Sequence, residues 1–130
     1  MEREHIVIPR GPLPAGMTAL PFSDAVRAGE TLYIAGRLGI DRNTARPPDD
    51  PADEARVLMD DLRSVLAAAR MTTADLVMVT IFSPEVAHFA KFNAVYVQYF
   101  DGPLPARAFI GSGPLLFGCR FEVTAVAVAR

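Results

Sequence analysis

Two charges stand where the sequence is otherwise apolar. Arg107 opens the run "ARAFIG", and Glu122 follows Phe121 in the closing run "RFEVTAVAVAR". Charged side chains in apolar surroundings are costly unless they are paired, liganded or put to use. A guanidinium carries a planar donor fork that matches a carboxylate, and it does not lose its proton at physiological pH. A glutamate in partly dry surroundings can take a proton from water or orient that water. The pair therefore has the parts to hold a small carboxylate beside an activated water. The same residues could instead close a salt bridge across a terminal hairpin, and spacing alone leaves both readings open.

Other candidates for chemistry are weaker. His5, His88 and Cys119 lack the paired spacing of a tetrahedral zinc site, so no metal is expected. Cys119 reads as a small buried hydrophobe and His88 as a helix-surface residue, rather than as nucleophile and base. "GSGP" at 111–114 resembles a phosphate-cradling loop, but no helix follows to lend its dipole, so it reads as a turn. Asp49, Asp50, Asp53 and Glu54 read as a solvated helix start.

These residues need elements to position them. "EHIVI" at 4–8 and "ETLYIAGRLGI" at 30–40 have strand composition, separated by a Pro- and Gly-rich loop to about Phe22. From Pro51 the period changes: Ala55, Leu58, Met59, Leu62, Val65, Leu66 and Ala69 form one apolar stripe on a helix of about 18 residues. "ADLVMVTIF" is apolar on both alternating faces, as in a strand covered on both sides. A second amphipathic helix carries Phe89, Phe92, Val95, Tyr96, Tyr99 and Phe100, and strands near 106–112 and 120–128 close the chain. The order β-β-α-β-α-β-β predicts an α+β or α/β sheet layered with helices. On the last strand Phe121, Val123, Ala125 and Ala127 share one face. Arg120, Glu122, Thr124, Val126 and Val128 share the other. Neither face reads as solvated, and two helices cover only one side, so an oligomer is expected.

Composition sets the frame. The chain of 130 residues is 51% hydrophobic and 22% charged, which predicts a single globular domain over 1–130. A net charge of −2 gives no electrostatic case for nucleic acid. One cysteine cannot form an intrachain disulfide. With no signal-peptide core and no membrane-length apolar run, a cytoplasmic protein is expected.

"LPFSDAVRAGETLYIAGRLGID", "FAKFNAVYVQYF" and "LPARAF…RFEVTAVAVAR" resemble the reactive intermediate deaminase family, the RidA/YjgF-like proteins, from about Leu20 to Arg130. "PAR" followed at that distance by "FEV" is the most specific part. The resemblance implies a chorismate-mutase-like unit with helices layered on one face of a mixed sheet. It implies a barrel-like homotrimer with clefts between subunits. It implies cofactor-free hydrolysis of 2-aminoacrylate- and 2-iminopropanoate-type intermediates to a 2-keto acid and ammonia. In that pattern Arg107 clamps the substrate carboxylate and Glu122 positions or activates water. Phe22, Gly36, Arg37, Asn93 and Phe109 fall at or beside the ligand. Departures are Phe22 for a tyrosine, "AGR" (Ala35, Gly36, Arg37) for "SGQ", Ala108 and Phe109 for a serine and cysteine, and Thr124 for a second acid. These changes make the cleft bulkier and less polar. They leave open an alternative, a non-catalytic trimeric module that binds small carboxylates. Arg37 could be a second cleft cation or an exposed or interface residue.

Overall fold

The computed structural model describes residues 2–10, 13 and 19–130. Strands β1 (Arg3–Ile6), β2 (Ala25–Ala28) and β3 (Thr31–Leu38) precede helix α1 (Pro51–Ala68). Strand β4 (Leu76–Ser83), helix α2 (Phe89–Tyr96), and strands β5 (Ala106–Gly111) and β6 (Glu122–Val128) follow. The six strands form one sheet in the order β1-β2-β3-β6-β4-β5, antiparallel throughout except for β4 and β5. The mixed sheet with two helices is the expected α+β class.

Helix α1 has the expected bounds for legible reasons. Asp50 caps it by accepting from the Ala52 N–H at 2.8 Å, Pro51 sits in its first turn, and Arg70 beyond its end adopts a left-handed φ of 62°. Its apolar stripe from Ala55 to Leu66 is fully buried. Helix α2 is shorter than the stripe suggests, because 3₁₀ turns at Val86–His88 and Val97–Tyr99 take over its ends.

Three expectations need correction. Strand β2, "AVRA", was not foreseen: it is only four residues long with Arg27 inside it. It owes its conformation to pairing on both edges, with β1 and with β3, rather than to its own propensity. A tight turn through Gly29, at φ 62°, links it to β3. The last two strands do not form a hairpin, because β4 lies between β5 and β6. Finally, within one chain β4 is covered on one face only. Val79 and Ile81 are fully buried beneath the helices, while Met78 on the opposite face is exposed, as are Tyr33 and Ile110.

Alternation along β6 sets the two faces of the sheet. Val123, Ala125 and Ala127 are buried on the helix side, and Glu122, Thr124, Val126 and Val128 are half-buried on the helix-free side. The start of β6 is fixed by Glu54, which is wholly buried, against the expectation of a solvated helix start; Asp49, Asp50 and Asp53 remain exposed. Glu54 accepts from the backbone N–H groups of Arg120 at 2.7 Å and Phe121 at 3.2 Å, and from Arg120 Nη1 at 2.8 Å. Gly39 makes room for this helix, since a side chain there would meet the Glu54 carbonyl at 2.3 Å. Removing one partner of a buried pair costs about 3–5 kcal/mol. Glu54→Ala is expected to lower unfolding stability by that order in urea, whereas Asp53→Ala at the exposed surface stays within about 0.5 kcal/mol.

Candidate functional site

Arg107 and Phe109 lie on β5, paired in parallel with Val79 and Ile81 of β4. Both therefore face the helices. Phe109 meets Phe89 and Phe92 of α2 edge to face, at ring separations of 5.2 and 6.0 Å. The Arg107 guanidinium carbon lies 4.9 Å from the Tyr96 ring centre, 5.5 Å from that of Phe89 and 6.0 Å from that of Phe109. Aromatic faces attract a cation but leave its donors unpaired. Among the described residues Arg107 makes no salt bridge and its side chain makes no hydrogen bond. It is a half-buried positive charge without an anionic partner among the described residues.

Asn93 and Tyr96 sit on the same stretch of α2. Asn93 Oδ1 and the Tyr96 hydroxyl are buried without a hydrogen-bond partner among the described residues. Burial pushes the Tyr96 hydroxyl up to about 12, with Arg107 pulling slightly the other way. Sequence reasoning placed Asn93 here but missed Phe89 and Tyr96 as the platform for Arg107. The helical stripe named both residues, yet only the crossover of α2 onto β5 shows which strand they meet.

Glu122 lies elsewhere. It pairs with Phe82 of β4, three residues from the Val79 that pairs with Arg107. An odd separation on one strand means opposite faces. One chain therefore does not bring Arg107 and Glu122 together, and no salt bridge joins them. The Glu122 carboxylate rests over Gly36, where a β-carbon would fall 2.0 Å from Oε2. It makes no salt bridge among the described residues. Thr124 beside it spends its hydroxyl on the Ile34 carbonyl at 2.9 Å.

Gly36 also borders a cleft of about 610 Å³ at the open edge of β3, beyond the point where β2 stops pairing at Ile34. Phe22, half-exposed, lines the same cleft. The expected ligand residues thus divide into two groups. Arg107, Phe109 and Asn93 lie on the helix side at β5, and Glu122, Gly36 and Phe22 lie at the far face and edge of β3.

Arg37 has a structural partnership. It is buried, bonding Asp61 Oδ2 of α1 at 2.5 Å through Nε and Asp24 Oδ1 at 2.9 Å through Nη1. Desolvation opposes its charge, but the bonds to Asp61 and Asp24 outweigh that and raise its pKa. Its fork is therefore occupied, and neither an exposed residue nor a free cleft cation describes it. Asp24 also binds Arg10 and accepts the Ile8 N–H at 2.9 Å, tying the end of β1 to β3. Cys119 is buried, and desolvation together with Glu54 and Glu122 pushes its thiol up to about 12, so it is unsuited to act as a nucleophile. No described helix is long and apolar enough to cross a membrane.

Comparison with known proteins adds four findings. A family model described as Endoribonuclease L-PSP matches residues 14–129. The mouse 2-iminobutanoate/2-iminopropanoate deaminase is 34% identical over 83% of this chain and 81% of its own. Among solved structures, the YjgF gene product of Escherichia coli superposes with a TM-score of 0.85 at 27% identity, covering 98% of this chain and 99% of that one. Escherichia coli TdcF with bound serine gives a TM-score of 0.85 at 26% identity, covering 98% and 100%.

The ion-pair network makes its own prediction. Arg37→Met leaves the buried Asp24 without one of its two cations and Asp61 without its partner, and is expected to destabilise the fold by about 3–5 kcal/mol in urea unfolding. An unchanged midpoint would contradict a structural role for these ion pairs. In the wild type, burial would raise the Asp24 carboxyl, but the bonds from Arg10, the Ile8 N–H and Arg37 outweigh it and lower the value. The folded state then prefers the carboxylate. Its contribution is present above the ordinary carboxylate range, about pH 4, and is lost as pH falls through the lower folded value.

Proposed function

The chain belongs to the Endoribonuclease L-PSP family, the RidA/YjgF-like proteins, and from that membership and the geometry of its free charges we propose that it is a hydrolytic deaminase of 2-imino acids and their enamine tautomers. The observation that carries this reading is Arg107, a half-buried guanidinium on an aromatic platform without a carboxylate partner among the described residues. The relatives named 2-iminobutanoate/2-iminopropanoate deaminase support it.

In this reading two copies of the chain complete each site. Arg107 of one copy clamps the substrate carboxylate through its fork, which aligns C2 of the imine. Glu122 of the adjacent copy accepts a proton from water as the water oxygen bonds to C2. The C=N π pair moves to nitrogen, which takes a proton from solvent, giving a tetrahedral carbinolamine. Glu122 then returns its proton to the amino group, the C–N bond breaks, and the oxygen lone pair closes the keto group as ammonia leaves and the hydroxyl proton passes to solvent. An enamine such as 2-aminoacrylate enters after protonation at C3. Neither metal nor cofactor takes part. The uncovered apolar face around Tyr33, Met78 and Ile110 supports assembly, taken here as a homotrimer with three clefts, and the lone free cysteine suits a cytoplasmic setting.

A second reading, a module that binds small carboxylates without turnover, is favoured by the apolar Phe22 and Phe109 and by the committed hydroxyl of Thr124. Ribonuclease action, suggested by the family's description, finds no support in a chain of net charge −2.

The test uses 2-iminopropanoate generated freshly in the assay. Arg107→Ala is expected to lower kcat/KM by about 10²–10³-fold, the loss of two charge-assisted bonds. Glu122→Gln, which preserves shape, is expected to lower kcat by about 10²–10⁴-fold. Imine decay equally fast with wild type and Arg107→Ala overturns the reading. Tight keto-acid binding in calorimetry without rate enhancement selects the binding module.

A further inference from the structure

The cleft beside Gly36 carries information about which imine the protein takes. Its walls are Leu20, Phe22, Leu38, Ile40, Leu116 and Phe117. At about 610 Å³ it falls within the range of sites for drug-sized ligands and far exceeds what a methyl group fills. Phe22, Leu116 and Phe117 are 50%, 67% and 43% exposed, large apolar groups in water around a concave surface.

Most of the polar groups that border the cleft already have partners within the chain. Arg37 is bound to Asp61 and Asp24, and Arg10 to Asp24. Asp60 accepts from Tyr99 at 2.7 Å and Arg63 at 3.1 Å, and Ser64 donates to the Asp60 carbonyl at 3.0 Å. Arg42 donates to the Pro9 carbonyl at 3.2 Å, and Asp41 accepts the Asn43 N–H at 2.7 Å. With most of these charges paired, the apolar walls make up the larger part of the surface the cleft offers an occupant.

Phe117 adds a backbone observation. It sits at φ 60°, ψ 21°, in the left-handed region, which bulky residues rarely adopt, and Gly118 follows at φ 71°. Strain of this kind collects where a side chain is held for use. The segment that holds it joins β5, which carries Arg107, to β6, which carries Glu122. Gly36 connects the cleft to the chemistry, because it borders the cleft and supports the Glu122 carboxylate.

We infer that this cleft receives the substrate's side chain and that the protein prefers 2-imino acids with large apolar substituents, branched aliphatic or aromatic, over the three-carbon 2-iminopropanoate. The inference rests on the deaminase reading above. Phe22 then acts as a specificity residue that exchanges polar contact for apolar fit.

The experiment generates imines in situ from alanine, leucine and phenylalanine with an L-amino acid oxidase and catalase. Their decay is followed by semicarbazide capture. Wild type is expected to show kcat/KM at least about tenfold higher for the leucine- or phenylalanine-derived imine than for the alanine-derived one, the scale on which apolar pockets discriminate. Phe117→Gly, which relieves the backbone while removing the wall, is expected to reduce that ratio at least fivefold, and Leu116→Ala, at an exposed position, to reduce it in the same direction. Equal or better hydrolysis of 2-iminopropanoate by wild type overturns the inference while leaving the deaminase reading intact. An unchanged ratio in both variants also overturns it. Hydrolysis of none of the three imines removes both.

Discussion

The buried carboxylate of Glu54 is the interaction on which the rest of the arrangement turns. It is carried by the first turn of α1 and takes hydrogen bonds from the backbone N–H groups of Arg120 and Phe121 and from the Arg120 guanidinium. β6 begins at the next residue and lies at the centre of the sheet, between β3 and β4. Fixing its first residues fixes its register with both neighbours. A slip of one residue would send Glu122 beneath the helices and Val123 to the opposite face. The position of Glu122 over Gly36 thus follows from a charge pair on the other side of the sheet.

That register creates a separation a single chain does not bridge. Glu122 occupies the helix-free face, whereas Arg107 faces α2 on the edge strand β5. Neither has an ionic partner among the described residues, which sets them apart from Arg37, Glu54 and Asp24, whose charges are matched at close range. Aromatic contact compensates a cation by about 0.5–2 kcal/mol, less than a buried charge pair exchanges, so Arg107 retains most of its capacity for an incoming anion. The apolar surface left uncovered on the helix-free face supplies a reason for copies to associate. In the proposed reading that association brings the two charges to one substrate.

Much of this was legible in the sequence where local chemistry decides the outcome. The Asp50-Pro51 start and the stripe from Ala55 to Leu66 fix α1, and alternation from Phe121 to Ala127 fixes the faces of β6. Arg107 and Glu122 stood out because unpaired charge in apolar runs is costly. What was hidden depended on partners distant in sequence. β2 exists through pairing on both edges. β5 and β6 are kept apart by β4, which arrives earlier in the chain, so adjacency in sequence suggested a hairpin that is absent. Glu54 resembled its exposed neighbour Asp53, and only the approach of Arg120 and Phe121, more than sixty residues away, distinguishes it. Arg37 read either as a second cleft cation or as an exposed or interface residue, because Asp24 and Asp61, which hold it, come from separate elements.

The central claim, that Arg107 and Glu122 act together only across two copies, is tested most directly by complementation. Arg107→Ala and Glu122→Gln chains, each inactive alone, are co-expressed with different tags, and the mixed oligomer is purified and assayed on freshly generated imine. In a three-membered ring that contains both chains, about a third of the sites combine an intact Arg107 from one copy with an intact Glu122 from its neighbour. The account predicts recovery of about that share of wild-type activity. No recovery in oligomers verified to contain both chains would contradict it, because the two residues would then have to serve from the same chain.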